Sequence, residues 1–293
     1  MIEVKPILDS VLDYKNRITT FEVNVPLAAW VQILTHRDFS RNAASNRAIP
    51  TKKILELANF IPDNWRKNDK GMSPFEVLPE KESAVAIELW KDAMENAHKT
   101  AASLAELGVH KEITNRILAP FIYIKGIITS TKWDNFIALR THETTQYETR
   151  VVANQIKDYF EKNKLESVKT RSMHLPYIEA GENFQAITDA YMISAARCAR
   201  VSYMTHDGKR DLKEDAFLSI RLLKDAHMSP FEHVALDNSI VTHLVHHKIL
   251  QRHWNNSNGN FDVGINQFRK LIEPWHNAQN VIQDIERAYG EKI

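Results

Sequence analysis

The chain has 293 residues, 43% hydrophobic and 26% charged, with 38 Lys and Arg against 37 Asp and Glu. This ordinary globular composition is close to neutral, which excludes the basic footprint of a protein that reads polymeric nucleic acid. A small anionic ligand would need only a few local arginines. The lone cysteine, Cys198, excludes an intrachain disulfide framework and a cysteine-built zinc site, and it fits a reducing cytoplasm. The opening MIEVKPILDS has no apolar leader core and no run reaches membrane-spanning length, so a cytoplasmic chain without a membrane partner is expected.

In chain order, Phe21, Val23 and Val25 alternate with Glu22 and Asn24, the period of a half-buried strand. Pro26 then opens an apolar helix through Leu27, Val31 and Leu34. Gln32, Thr35 and His36 share one face of it at i, i+3, i+4. Its end delivers a polar loop, QILTHRDFSRNAASNR at 32–47, which holds His36, Arg37, Ser40, Asn42, Ser45 and Arg47. Guanidiniums, amides and hydroxyls, with no acidic residue after Asp38, suit phosphate oxygens and base edges. Residues 51–61 read as a short amphipathic helix, 62–80 as an irregular connection, and 82–106 as an Ala-rich helix stopped at Gly108. Residues 111–130 read as a helix that kinks or restarts at Pro120, and 133–162 as a second long helix with Phe136, Leu139, Tyr147, Val151 and Phe160 turned inward.

Residues 163–184 have no period and read as a linker, and helical patterns resume at 185–199 and 211–227. The tail, 237–293, is mixed. Its His243 and His247 are spaced i, i+4 as zinc would need, but no carboxylate follows, so a basic surface helix is expected there. MSPFE occurs twice, at 72–76 and 228–232. A capping Ser, Pro at the first helical position and a Glu closing the box make a helix start by physics alone. The second copy adds His227 and His233, which capping does not require. Helices dominate and strands are few, so the fold class is α+β: long helices packed on a small mixed sheet.

Five segments taken together carry a resemblance: THRxxSxNxxSxR at 35–47, NRIxxP around Arg116, NFxxLR ending at Arg140 with QxE following, ARVSY ending after Ser202, and HxSPFEH at 227–233. The chain resembles the flavin-dependent thymidylate synthases, whose signature is RHRxxSxNExSxR. The likeness spans most of residues 17–236. In the family, however, ARVS and HxSPFEH precede the strand and signature, so the chain resembles a circular permutation with its joint near 163–184. Residues 1–236 would be the permuted domain, and 237–293 an extension of unknown role.

The resemblance implies methylation of dUMP at C5, with methylenetetrahydrofolate giving the carbon, reduced FAD the hydride, and NADPH re-reducing the flavin. It also implies a homotetramer with sites built between subunits. By motif position, Gln32, Ser45, Arg47, Arg116 and Arg140 would hold the nucleotide. Arg140 would also stabilise charge developing on the uracil. His36, Arg37, Asn42, Asn135, Ser202, His227, Ser229 and Glu232 would contact FAD. The signature departs from the family at Thr35, Ala43 and Asn46, where Arg, Glu and Gly are usual. Alternatives are another C5 modification on this scaffold, such as hydroxymethylation of dUMP or dCMP, or nucleotide binding without chemistry. Cys198 lacks the Pro and Gln neighbours of a thymidylate synthase nucleophile and reads as a small core residue. Ser45 has no paired His and Asp to activate it, and it is assigned to binding.

Overall fold

The computed structural model describes residues 1–12, 15–68, 70, 76–203, 211–251 and 257–290, with the side chains of 202 and 203 outside that description. Strand β1 (Glu3–Leu12) pairs with β2 (Asn16–Pro26), Glu3 opposite Asn24, with one slip of register between Pro6 and Leu8. Pro26 ends β2 and sits at the N-cap of helix α1 (Leu27–Ile33). The polar stretch then forms a short strand, β3 (Ser40–Ala43). Helices α2 (Thr51–Leu57), α3 (Glu80–Glu106) and α4 (Lys111–Thr114) lead to strand β4 (Tyr123–Ser130). Strand β4 pairs antiparallel with β2 on one side and β3 on the other, giving the order β1-β2-β4-β3. The signature strand is therefore an edge strand, open to a ligand on its outer side.

Side-chain alternation gives this sheet two different faces. On one, Phe21 is fully buried and its ring lies 5.1 Å from those of both Trp133 and Tyr159. Burying such a ring contributes about 1.5–3 kcal/mol. This face is closed by α1, α5 (Asp134–Arg140) and α6 (Tyr147–Lys162), which bring Ile33, Phe136, Val152 and Ile156 into one apolar cluster. Gly126 on β4 belongs here, because a Cβ at that position would stand 2.6 Å from the Trp30 ring.

On the other face Ile18 and Leu12 pack with Ala235, Phe261 and Ile265. The elements beyond are β5 (Met173–His174), α7 (Asp189–Tyr203), α8 (Leu212–Lys224), β6 (Ala235–Leu236), α9 (Asn238–His246), β7 (Asn266–Gln267), α10 (Phe268–Ile272) and α11 (Trp275–Tyr289). Their cluster joins Met192, Leu222 and Phe231 to Leu244, Phe268 and Val281, so residues on both sides of position 236 share one core. Arg197 is buried between Glu182 at 2.6 Å and Asp215 at 2.9 Å, and Arg200 reaches Asp215 at 2.6 Å. These ion pairs fix the 177–182 stretch and α8 to α7. Among the described residues no helix is long and apolar enough to cross a membrane.

The fold is α+β, as expected, but several elements differ in kind. The apolar run 111–130 is not a restarting helix. After the short α4 and a 3-10 turn at Ala119–Phe121, it becomes β4. A central strand buried on both faces reads as a continuous apolar run, which periodicity cannot separate from a helix. The expected long helix 133–162 is two helices, α5 and α6. Between them Thr145 Oγ1 donates to Leu139 O at 3.0 Å and His142 Nδ1 meets Thr144 Oγ1 at 2.8 Å. These local bonds compete with the helical ladder. Leu139, expected inside, is exposed. Strand β1 is an addition to the expected sheet, and Ser229–His233 is a 3-10 turn capped at Met228 with no side-chain cap bond. The first MSPFE copy lies almost wholly outside the described residues.

Candidate functional site

Three cavities meet around β3. The first, about 470 Å³, has Asn42, Ser45, Arg47, His227 and Ser229 in its wall. The second, about 380 Å³, lies across the same strand and adds Trp30 and Ile124 to Ser45 and Arg47. The third, about 450 Å³, holds Arg37, Ser229 and Glu232. Arg41 lines all three. Its Nη1 donates to Phe39 O at 2.6 Å and His36 O at 3.2 Å, which pins the guanidinium at the junction. Among the described residues neither of the first two cavities has a carboxylate in its wall. A phosphate placed there would meet Arg41 and Arg47 with no side-chain anion opposing it.

The structure thus brings together seven of the residues singled out in the sequence: Arg37, Asn42, Ser45, Arg47, His227, Ser229 and Glu232. Five others, Gln32, His36, Arg116, Asn135 and Arg140, line none of these cavities. Gln32 sits half-buried on α1, and its carbonyl accepts Thr35 Oγ1 at 2.7 Å. Arg116 is exposed and paired with Glu112 at 3.1 Å. Its neighbour Asn115 donates to Asn46 O at 2.7 Å and Ile49 O at 3.0 Å, which holds the end of the signature loop. Asn135 is exposed on α5. Arg140 donates from Nε to His36 Nε2 at 2.8 Å and from Nη2 to Thr35 Oγ1 at 3.1 Å. His36 therefore carries its proton on Nδ1. Burial, and then the Arg140 charge, hold its pKa below the usual histidine value. The side chain of Ser202 lies outside the described residues.

A buried chain of hydrogen bonds backs the edge strand. Asn42 Nδ2 donates to Cys198 O at 3.1 Å, so Asn42 Oδ1 must accept from His233 Nε2 at 2.5 Å. Each later direction follows, since a neutral imidazole has one donor and one acceptor. Thr129 donates to His233 Nδ1 at 2.8 Å, Thr20 to Thr129 at 2.6 Å, His174 Nε2 to Thr20 at 2.7 Å, and Ser10 to His174 Nδ1 at 3.1 Å. Burial pushes both histidines down to about 3. Cys198, fully buried beside this chain, has its thiol pushed well above the ordinary range by burial, which makes it an inert core residue.

Sequence reasoning missed Arg41 and the tail side chains around Arg269, and it noted His233 only as a residue that capping does not require. Arg41 occupies an unspecified place in the signature, and only strand alternation separates it from Asn42. Among the described residues no group of three or more His, Cys, Asp or Glu is placed to hold a metal. The rings of His243, on α9, and His247, at its C-cap, lie 4.4 Å apart, and His253 lies outside the described residues.

Residues 16–163, just over half the chain, match the family model described as "Thymidylate synthase complementing protein". The chain belongs to this family, the flavin-dependent thymidylate synthases. It is 33% identical over 142 residues to a flavin-dependent thymidylate synthase of Aquifex aeolicus, an alignment covering 47% of this chain and 44% of that protein. It is 28% identical over 151 residues to the enzyme of the same name from Thermosipho africanus, covering 50% of this chain and 64% of that one. The chain thus spans about half to two thirds of the length of these relatives. A crystal structure of the UMP/dUMP methylase PolB from Streptomyces cacaoi bound with 5-Br UMP aligns over 55% of this chain and 89% of that one, at 20% identity and a TM-score of 0.48. The family match covers β2 to α6, which includes the signature strand and the helix carrying Arg140.

Proposed function

We propose that this family member methylates dUMP at C5, taking the carbon from methylenetetrahydrofolate, with FAD as resident cofactor and NADPH as reductant. The observation that carries this reading is the placement of Arg47 and Ser45 in two carboxylate-free cavities at an edge strand, with His227 and Ser229 across the gap. Arg47 would hold the nucleotide phosphate, because paired guanidinium–phosphate hydrogen bonds are strong and directional. Ser45 and Gln32 would orient the nucleotide. The donor set fits a flavin dinucleotide: Arg37, His227 and Ser229 offer cations and hydrogen bonds to an anionic, polar cofactor, and Asn42 is held in place behind them. The flavin, when bound, supplies the hydride that completes the methyl group.

Arg140 would stabilise negative charge that develops on the base. In this chain it bonds His36 and Thr35 and lines none of the three cavities. A homotetramer in which a neighbouring copy completes the site accommodates that arrangement. The permuted order is supported by two facts. The family match ends at residue 163, yet Cys198 on α7 and His233 after Ser229 both bond Asn42 on β3. Residues 1–236 would be the permuted domain and 237–293 its extension, working in the cytoplasm without membrane or nucleic-acid partners.

The runner-up, a different C5 modification, is favoured by Ala43. It leaves the cavity wall without the family's carboxylate, so base recognition can differ. The deciding experiment is mass analysis of the nucleotide after incubation with dUMP, methylenetetrahydrofolate, FAD and NADPH, with dCMP in a parallel arm. Gain of a methyl group supports the proposal, gain of a hydroxymethyl group supports the runner-up, and unchanged dUMP and dCMP defeat both.

A further inference from the structure

The third cavity is walled on one side by the signature and on the other by the tail. The tail segment is seated by side chains. Gln267 Nε2 donates to Asn260 Oδ1 at 2.6 Å and to Ser40 Oγ at 3.1 Å, and Asn260 Nδ2 donates to Asp38 O at 3.0 Å. Phe268 N donates to Val234 O at 2.9 Å, which continues the β6–β7 pairing into the start of α10. Gly259 is required in this wall: its φ is +58°, and a Cβ there would collide with the Gln267 amide.

What the tail delivers is charge. Arg269 and Lys270, on α10, face Arg37 and Arg41 around the cavity. Arg269 pairs with Glu232 and, at 3.0 Å, with Glu273, while Lys270 reaches Glu273 at 2.9 Å. Four cations are thus set against two carboxylates. Burial raises the Glu232 carboxyl, and Arg269 is the first of the cations that oppose the rise. The space of about 450 Å³ between them is lined by more positive charge than Glu232 can balance. Two pairs of planar or rotatable donors on opposite walls suit an oligoanion with oxygens on both sides, not a single carboxylate.

We propose that Arg269 and Lys270, supplied by the tail, join Arg37 and Arg41 to form a subsite for the diphosphate of a dinucleotide. The choice of a dinucleotide rests on the flavin reading above, whereas the anion subsite stands on the charges alone. In this arrangement Arg269 leaves part of its contact with Glu232 to engage the ligand, and Glu232 keeps the guanidinium aimed at the cavity until then. The tail also restores cationic character to a signature that has Thr35 where its family has arginine.

The test is calorimetric titration of the full-length protein with inorganic pyrophosphate, FAD, NADPH and riboflavin in separate arms. The variants are Arg37→Gln and Lys270→Gln, neither of which removes the Arg269 hydrogen bond to Glu232, with Arg269→Lys as the charge-retaining control. Thermal melting reports whether each variant is folded. Pyrophosphate affinity should fall roughly tenfold in each Gln variant. The occupying dinucleotide, FAD or NADPH, should fall in parallel, riboflavin should not change, and Arg269→Lys should lose less. Pyrophosphate or dinucleotide binding that is equal in wild type and both Gln variants overturns the subsite. If pyrophosphate responds as expected but FAD binds none of the proteins, the subsite stands and the flavin reading fails.

Discussion

Arg140 donates to His36 across 2.8 Å, joining the last turn of α5 to the signature from 104 residues away. The bond needs a neutral His36 whose Nε2 lone pair is free. Burial, with Arg140 next, lowers the His36 pKa, so the proton is absent at neutral pH and the latch is closed. A His whose folded pKa lies below its unfolded value supports stability above the unfolded value of about 6.5 and loses that support as pH falls. Stability support should therefore begin to fall below the unfolded value of about 6.5, while the latch itself, and turnover with it, should hold until pH falls through the lowered pKa of His36. A His36→Gln variant should lose this part of the pH profile, and an unchanged acid limb in that variant would show that His36 does not set it.

Arg47→Ala should weaken dUMP binding by about 1.5–3 kcal/mol, roughly 10- to 100-fold, and leave the melting temperature unchanged, since Arg47 is exposed and lies in the cavity wall. Arg140→Ala should abolish turnover. Because the two residues do not share a cavity in one chain, coexpressed Arg47→Ala and Arg140→Ala subunits should recover roughly a quarter of the activity if a symmetric oligomer builds each site from two copies. Recovery no greater than either variant alone would place both residues in one subunit's site.

The buried chain from Asn42 to Ser10 contains two histidines held neutral, both pushed down to about 3 by burial. The folded state then binds fewer protons than the unfolded state between about pH 3 and 6.5, so stability should fall as pH drops through that window, by up to about 1.4 kcal/mol per pH unit for each histidine. Denaturant unfolding at pH 7 and pH 5 checks the slope. His233→Gln, which keeps a donor toward Asn42, should flatten it by one histidine's share.

Gly126→Ala should destabilise the fold by about 1–3 kcal/mol through overpacking, because the new methyl group would meet the Trp30 ring at 2.6 Å. Since Trp30 also walls the second cavity, nucleotide affinity should fall together with the melting temperature. A variant as stable as wild type would show that Trp30 can move aside.

Much of this arrangement was legible in the chain, and the failures have physical causes. The alternation around Phe21 and the Pro26 boundary gave β2 and α1, since a half-buried strand and a proline-led helix write their own periods. Within the signature cluster Arg37, Asn42, Ser45 and Arg47 lie in the cavity walls, because the chemistry of small anions needs those side chains wherever they lie. Strand β4 was hidden by its own burial, and the break after Arg140 by threonines that bond their local backbone. The tail was hidden for another reason. Its contacts reach back more than 200 residues, from Asn260 to Ser40, and no local pattern encodes a partner at that distance. His233 was seen as unexplained by capping, but its role depends on Thr129 and Asn42, which only the sheet register brings together.

The most direct test of the central claim is the visible absorption spectrum of the full-length protein mixed with FAD and titrated with dUMP. Wild type should hold flavin through gel filtration and show a spectral shift that saturates with dUMP, and the shift should be weakened in Arg47→Ala. Flavin that elutes free of the protein, or a bound flavin spectrum indifferent to dUMP, would contradict the flavin-dependent reading.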